Sequence, residues 1–423
     1  MNGALKSSTG YFLLKPFVKF GLKIFYRRIT VTGIENIPAT GGFILYANHQ
    51  NALMDPLLLC CFTQRPLHWL ARADVFRNPW VARILHHLHM IPIHRERDNS
   101  DLLTESGNTF KLSSRRLAEG CAIAVFPEGG HAHHKIIRPF KRGMARIVCG
   151  NGELMDVPFL PVHIDYHSFR AFRSEVHIGV GTPFMPSSVS EKMDNPGITL
   201  TKITRHARLE LLKIAVHFPN QVIAHEMEEI RPVLALVRNT AGQINSDQEF
   251  SAYRKTIENL QVNCTHDVDY RDAFHQALEV AQNKLSSLKS KFVRQSIAQH
   301  FNVSSAMGWI GIATHALPAF LCEVITRAFV RDPQFISSIR LVSGLFVFPL
   351  FYLVFTFWVV HFSGSWWIAL VALLVIVLSG IAALFLIDRR KNAFYNASLL
   401  AQINEDPSFQ HLFQLLNRPA PKA

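Results

Sequence analysis

The sequence predicts an α/β layered domain, then a helical region, then a C-terminal transmembrane helical hairpin. Three observations carry this reading. Residues 29–186 alternate short apolar runs with stretches of helical spacing, the pattern of a sheet flanked by helices. Residues 187–302 are polar with helical periodicity. Residues 341–387 hold no Lys, Arg, Asp or Glu across 47 positions.

From the N-terminus, no acidic residue precedes Glu35, and Lys15, Lys19, Lys23 and Arg27 recur every four residues among Phe12, Leu14, Phe17, Phe20, Leu22, Ile24 and Phe25. On a helix this places a basic stripe beside a broad apolar face. Residues 1–28 therefore read as a membrane-surface helix, or equally as a helix packed on the domain's own core. Pro16 is tolerated only in a first turn, which predicts a helix starting near it. The repeated lysines interrupt the apolar run a secretory signal needs.

Expected strands are 29–34, 43–47, 67–71, 89–93, 122–126, 158–164 and 175–180, with helices over 79–87 and 101–119 between them. Further helices are expected over 205–216, 222–237 and 272–297, in a region to which the sequence assigns no role. Residues 303–322 are apolar but contain His315 and Pro318 and run into Glu323 and Arg327; they read as an interfacial or re-entrant helix. The uncharged 341–387 stretch breaks at Ser363-Gly364-Ser365, and each half is long enough to cross roughly 30 Å of hydrocarbon. Trp358, Trp366 and Trp367 lie near the break, where interfacial aromatics belong. Arg327, Arg331 and Arg340 precede the pair, and Arg389, Arg390 and Lys391 follow it. Positive residues on both flanks place both ends, and the 388–423 tail, on the cytoplasmic side. An integral membrane protein with a cytoplasmic catalytic domain is the expectation.

Composition narrows the class. Charged residues are 18% and apolar ones 49% of the 423, which excludes a disordered chain. The net charge of +13 favours anionic partners, either phospholipid surfaces or phosphorylated substrates. Nucleic acid is not expected, because the cations cluster near apolar segments. The six cysteines form no C-x-x-C pair and read as reduced and structural.

Four segments could carry chemistry. Asn48-His49-Gln50-Asn51-Ala52-Leu53-Met54-Asp55-Pro56 follows a strand. A neutral imidazole beside a carboxylate is a general base, the acid fixing its tautomer and stabilising the imidazolium. Residues six apart on a regular helix lie about 120° apart, so His49 and Asp55 meet only if a loop runs into a helix. In Ile91-Pro92-Ile93-His94-Arg95-Glu96-Arg97, an arginine at a strand end is a natural phosphate ligand. Val125-Phe126-Pro127-Glu128-Gly129-Gly130 leaves a strand with paired glycines that let backbone amides approach an anion. It is followed by His131, His133, His134, Lys135, Arg138, Lys141, Arg142 and Arg146. Val157-Pro158-Phe159-Leu160-Pro161-Val162 reads as a strand shaping a wall.

In this order and spacing the segments resemble the blocks of the PlsC-type glycerolipid acyltransferases, the lysophospholipid acyltransferase superfamily, over residues 30–185. The resemblance implies an acyltransferase-type mixed sheet flanked by helices. It also implies transfer of a fatty acyl group from acyl-CoA or acyl carrier protein to a phosphorylated glycerol acceptor in phospholipid biosynthesis. His49 and Asp55 would be catalytic. Arg95 would hold the acceptor phosphate, helped by Gly129, Gly130, Lys141 and Arg142, and Pro161 would form the wall. Glu128 cannot face a phosphate unpaired, since like charges at 4 Å repel by about 4 kcal/mol at intermediate dielectric; it is expected to pair with Arg95 or hold an acceptor hydroxyl. A thioester is already activated, so neither metal nor cofactor is expected.

Two features depart from the usual family pattern. Five residues rather than four separate His49 from Asp55, and Gly130-His131 replaces the Thr or Ser after Glu-Gly. Both resemble the fungal glycerol-3-phosphate/dihydroxyacetone-phosphate acyltransferases and their bacterial relatives. The expected acceptor is therefore glycerol-3-phosphate, with lysophosphatidate (1-acylglycerol-3-phosphate) the alternative and a non-catalytic membrane scaffold the further alternative.

Other signatures fail on their own chemistry. His86-His87-Leu88-His89 and His131-Ala132-His133-His134 lack the spaced partners of a zinc site. Position 229 is Glu where a metalloprotease helix beginning at His225-Glu226 needs a second His. Gly179-Val180-Gly181 lacks the third glycine of a dinucleotide loop. Cys60-Cys61 sits in an apolar run and reads as core.

Overall fold

A computed structural model describes residues 9–93, 103–131, 133, 135–149, 153–190, 195–218, scattered positions between 220 and 234, and 246–298, 303–393 and 397–421. The chain divides into two units. The first gathers residues 1–22, 29–166 and 176–217; the second gathers 23–28, 167–175 and 218–423.

All seven expected strands form one mixed sheet: β1 (Tyr26–Thr32), β2 (Phe43–Ala47), β3 (Leu67–Arg72), β4 (Met90–Ile93), β5 (Ala122–Val125), β6 (Phe159–Tyr166) and β7 (Ser174–Val180), in the order β1-β7-β6-β2-β5-β3-β4. From β6 to β4 the neighbours are parallel; β7 runs antiparallel to β6. Every side chain of β2 is buried, as a central parallel strand requires, because both its faces are covered. With β5 on one side and β6 on the other, the carboxyl end of β2 is where open α/β sheets place their ligands.

The helices of this unit are α1 (Thr9–Phe25), α2 (Met54–Phe62), α3 (Pro79–His87), α4 (Leu103–Ala118), α5 (Gly143–Val148) and α6 (Pro196–Ile214). Leu117 of α4, Met144, Ile147 and Val148 of α5 and Ile203, Ala207 and Leu211 of α6 pack with Ile44, Tyr46, Ile123, Val125 and Phe159 of the strands in one core. Asn195 caps α6, its side chain accepting from the Gly197 and Ile198 amides, and Pro196 occupies the first turn that proline favours.

Helix α1 corrects one expectation. Pro16 lies inside it rather than at its start. The helix continues through the proline because tertiary contacts hold both sides of it: Lys15 Nζ donates to the Thr63 carbonyl at 2.9 Å, and Val18 and Leu22 are buried. Lys15 is thereby drawn inward, and burial lowers its pKa; Lys19 sits over the Phe62 ring. Leu14, Phe17 and Phe20 remain exposed, so the helix has a core-facing side and an apolar outer side.

In the second unit, α7 (Ser246–His266), α8 (Val268–Ala298), α13 (Ala397–Glu405) and α14 (Pro407–Leu416) enclose Tyr253, Ile257, Phe274, Leu278, Phe409 and Leu412. Helix α7 lies in a stretch where the spacing predicted none. Its apolar residues are spread thinly through a polar sequence, so its helicity rests on packing rather than on a clear stripe. The apolar helices are α9 (Val303–Thr314), α10 (Ala316–Phe329), α11 (Ile336–Ser363) and α12 (Trp366–Ala393). Two spans, Pro333–Ser363 and Trp366–Arg389, are long and apolar enough to cross a membrane. They turn at Gly364 in the left-handed region (φ 64°).

Helices α9 and α10 meet at His315 with a 49° bend. Pro318 explains the break, because it has no N–H for the Thr314 carbonyl. His315 Nδ1 donates to the Gly311 carbonyl at 2.8 Å and Nε2 accepts from the Tyr352 hydroxyl at 2.9 Å, an assignment set by the hydrogen-bond network. The segment fits either a broken span or a re-entrant loop. Gly311 allows α9 to approach α12 so closely that a Cβ there would stand 1.9 Å from the Ser379 carbonyl oxygen, the use of small residues at membrane helix contacts.

Candidate active site

The site forms where β2, β5 and β6 deliver their carboxyl ends. Strand β2 stops at Ala47, and the chain crosses a short loop before entering α2 at Met54. This is the loop-into-helix geometry that lets residues 49 and 55 meet. Asn48 anchors the loop: its Nδ2 donates to the Ile164 carbonyl at 2.9 Å and its Oδ1 accepts the Ile164 amide at 2.8 Å. The side-chain amide thus extends the β2–β6 ladder by one rung and holds the next residue, His49, in place.

His49 Nδ1 lies 2.8 Å from Asp55 Oδ2. The same oxygen accepts the backbone amides of Gln50 at 2.8 Å and Asn51 at 2.9 Å, while Oδ1 accepts the Tyr166 hydroxyl. Asp55 is fully buried, so its charge is viable only because these donors surround it. A carboxylate on Nδ1 makes that nitrogen the proton donor and leaves Nε2 as the basic one. One face of the His49 ring stacks on Phe126 (3.9 Å between centroids, 8°), and Phe126 stacks on Trp69 at 5.0 Å. His131 meets His49 at 5.3 Å with the planes 87° apart.

The turn after β5 supplies the acid. Glu128 Oε1 accepts the His49 backbone amide at 3.2 Å, and Oε2 accepts Arg138 Nε at 2.7 Å. Both carboxylate oxygens are therefore committed to the protein. The partner is Arg138, which folds back because Lys141 N donates to the Pro127 carbonyl at 2.8 Å. Gly129 has φ 72°, and a Cβ there would fall 2.6–2.7 Å from the Lys141 side chain. The positive φ favours glycine at this position, and the Lys141 side chain lies against the turn.

Of the other residues expected here, Arg95 lies outside the described residues, though β4 ends at Ile93 just before it. Gly130 follows Gly129 in the turn, its carbonyl taken by Arg138. Arg142 is exposed at the start of α5. Pro161 is buried in β6, paired with Tyr46, and its carbonyl accepts the Gly181 amide; its contacts are those of a sheet interior. Lys135 forms a buried ion pair with Asp165 at 2.9 Å, and so is spent inside the fold. The Cys61 thiol is pushed up to about 12 by burial, which suits a core residue rather than a nucleophile.

Sequence reasoning missed Asn48, Tyr166 and Arg138 as parts of the arrangement. Tyr166 is an aromatic two positions beyond the expected end of β6, which was the only available signal for it. Arg138 was one of several downstream cations that nothing local distinguished.

Residues 28–165 match the family model described as Acyltransferase. A 1-acyl-sn-glycerol-3-phosphate acyltransferase from Bacillus subtilis is 26% identical over 28% of this chain and 55% of its own length. One from Borreliella burgdorferi is 29% identical over 34% of this chain and 54% of its own. The chain thus spans about half the length of these relatives. The crystal structure of the 1-acyl-sn-glycerophosphate acyltransferase PlsC from Thermotoga maritima aligns with 47% of this chain and 80% of its own, at 23% identity and a TM-score of 0.35.

Proposed function

Because residues 28–165 belong to the PlsC-type acyltransferase superfamily, we propose that the protein moves a fatty acyl group from a thioester to a hydroxyl of a phosphorylated glycerol acceptor. The observation that carries this is the 2.8 Å His49–Asp55 contact, with the carboxylate fully buried among donors. Asp55 holds Nδ1 protonated, so His49 Nε2 takes the proton of the attacking hydroxyl. The carbonyl carbon forms its new C–O bond and the tetrahedral oxyanion collapses. The C–S bond breaks, and His49 returns the proton to the departing thiolate. Glu128 acts at one remove, fixing the His49 backbone. The acceptor phosphate falls to Arg95, with Lys141 and the Gly129–Gly130 turn assisting.

For the acceptor, the relatives' names favour lysophosphatidate over glycerol-3-phosphate. The five-residue interval between His49 and Asp55, with Gly130-His131 in the third block, supports glycerol-3-phosphate as the second reading. The apolar spans support an integral membrane protein, and Arg340 just before the uncharged 341–387 stretch and Arg389 just after it support a cytoplasmic catalytic domain. Membranes carrying the protein are to be assayed with both acceptors, each with acyl-CoA and acyl carrier protein, following thiol release and acylated product. Thiol release dependent on neither acceptor would overturn acyl transfer, and the preferred acceptor decides between the two readings.

A further inference from the structure

Three cations that the mechanism above does not use occur together. Arg142, Lys202 and Arg205 line one open-sided cavity of about 470 Å³ with Asn195, Gly197, Ile198 and Thr201. All three are exposed. This sets them apart from Lys135, consumed by Asp165, and Arg138, consumed by Glu128. No carboxylate among the described residues pairs with any of them. Like charges gathered with no counter-charge among the described residues repel one another and are stabilised when an anion arrives.

The place of this cavity in the fold matters as much as its charge. Lys141 lies against Gly129 of the catalytic turn and is hydrogen-bonded to Pro127; Arg142 is the next residue, and α6 packs on α5 beside it. Arg142 thus stands one residue from a contact with the turn that carries Glu128, at the start of the helix that α6 packs against. Asn195 already occupies the first amides of α6, so an anion there would be gripped by side chains and not by the helix terminus. The cavity has the volume of a nucleotide-sized site, and Ile198, 54% exposed, offers it an apolar surface.

We propose that Arg142, Lys202 and Arg205 bind the phosphates of the acyl donor's nucleotide handle, so that the donor is an acyl-CoA. This rests on the acyl-transfer reading. A coenzyme A thioester carries several phosphate charges at the far end of a flexible arm from its reacting carbon. A concavity lined by three cations without a described counter-charge suits the phosphate end of such a molecule. A carrier protein presents the same arm without the nucleotide phosphates, and the test separates the two donors.

The test uses the full chain in detergent and the Lys202→Gln/Arg205→Gln double variant, whose side chains are exposed and whose folding is checked by its melting curve. Losing two charge-assisted contacts raises the KM for acyl-CoA about tenfold or more. The KM for acyl-pantetheine, which lacks the nucleotide, is expected to stay unchanged, as is that for the phosphorylated acceptor. Binding of free coenzyme A by calorimetry weakens by the same factor and needs no turnover. Equal KM increases with acyl-CoA and acyl-pantetheine, unchanged coenzyme A binding, or a wild-type protein that accepts only acyl carrier protein would each overturn the site. Coenzyme A binding that depends on Lys202 and Arg205 in a wild-type protein that moves no acyl group would keep the site and remove the acyl-transfer reading.

Discussion

Tyr166 hydrogen-bonds to the Asp55 oxygen that His49 does not use. The tyrosine ends β6 and the aspartate opens α2, so the sheet itself orients the acid that orients the base. Tyr166→Phe removes one of four donors to a buried carboxylate and leaves the other three. At about 1–1.5 kcal/mol for a lost hydrogen bond, kcat should fall roughly tenfold with both KM values unchanged. A wild-type kcat would show that the tyrosine only fills space.

His49→Ala should lower turnover by about 10²–10⁴, the usual worth of a general base. Asp55→Asn keeps the shape but reverses the donor at Nδ1, and should cost up to about 10⁴ through the wrong tautomer. Steady-state kinetics on purified protein check both. Near-normal turnover in either variant would end the assignment of the pair.

Glu128 and Arg138 are expected to behave as one device. Glu128→Gln and Arg138→Ala should each reduce kcat, and the double variant should be no worse than the more damaged single, because residues in one network are not additive. If Glu128 instead held an acceptor hydroxyl, Glu128→Gln would raise the acceptor KM while Arg138→Ala would not.

Two histidines, His68 buried and His217 half-buried, are expected to make the α/β unit acid-sensitive. Burial lowers His217, with a smaller contribution from Arg208, to about 4, and Nδ1 accepts the Ile137 amide at 2.9 Å. Burial, with the charges of His89 and Arg116, likewise lowers His68 to about 4. In the unfolded chain both titrate near 6.5, so the unfolded state binds more protons between those values. Stability is complete above pH 6.5 and falls as pH drops toward 4. Melting temperatures between pH 7.5 and 5 should therefore decline, and His217→Gln should flatten the decline. An unchanged slope in that variant would contradict the assignment.

In the membrane-directed part, Gly311→Ala drives a methyl group into the Ser379 carbonyl, whereas nothing lies within 4 Å of a Cβ at Gly344. Overpacking of this kind costs about 1–3 kcal/mol. The thermal aggregation temperature in detergent should drop for Gly311→Ala and hold for Gly344→Ala. Equal behaviour would remove the close α9–α12 contact.

By itself the sequence determined the sheet's strands, the uncharged hairpin and the short segments around His49, Asp55 and Glu128, because period-two alternation, hydropathy and close spacing are local properties. It also showed that His49 and Asp55 need a loop entering a helix. Only the tertiary structure decided which partners close the network. Asn48 reaches Ile164 across 116 residues and Tyr166 reaches Asp55 across 111. Among many cations, Arg138 pairs with Glu128 because a backbone bond from Lys141 to Pro127 folds the chain back. Helix α1 likewise passes through Pro16 because distant residues hold both sides of it. Such contacts depend on where strands lie in the sheet, and strand order leaves no periodic trace in the chain.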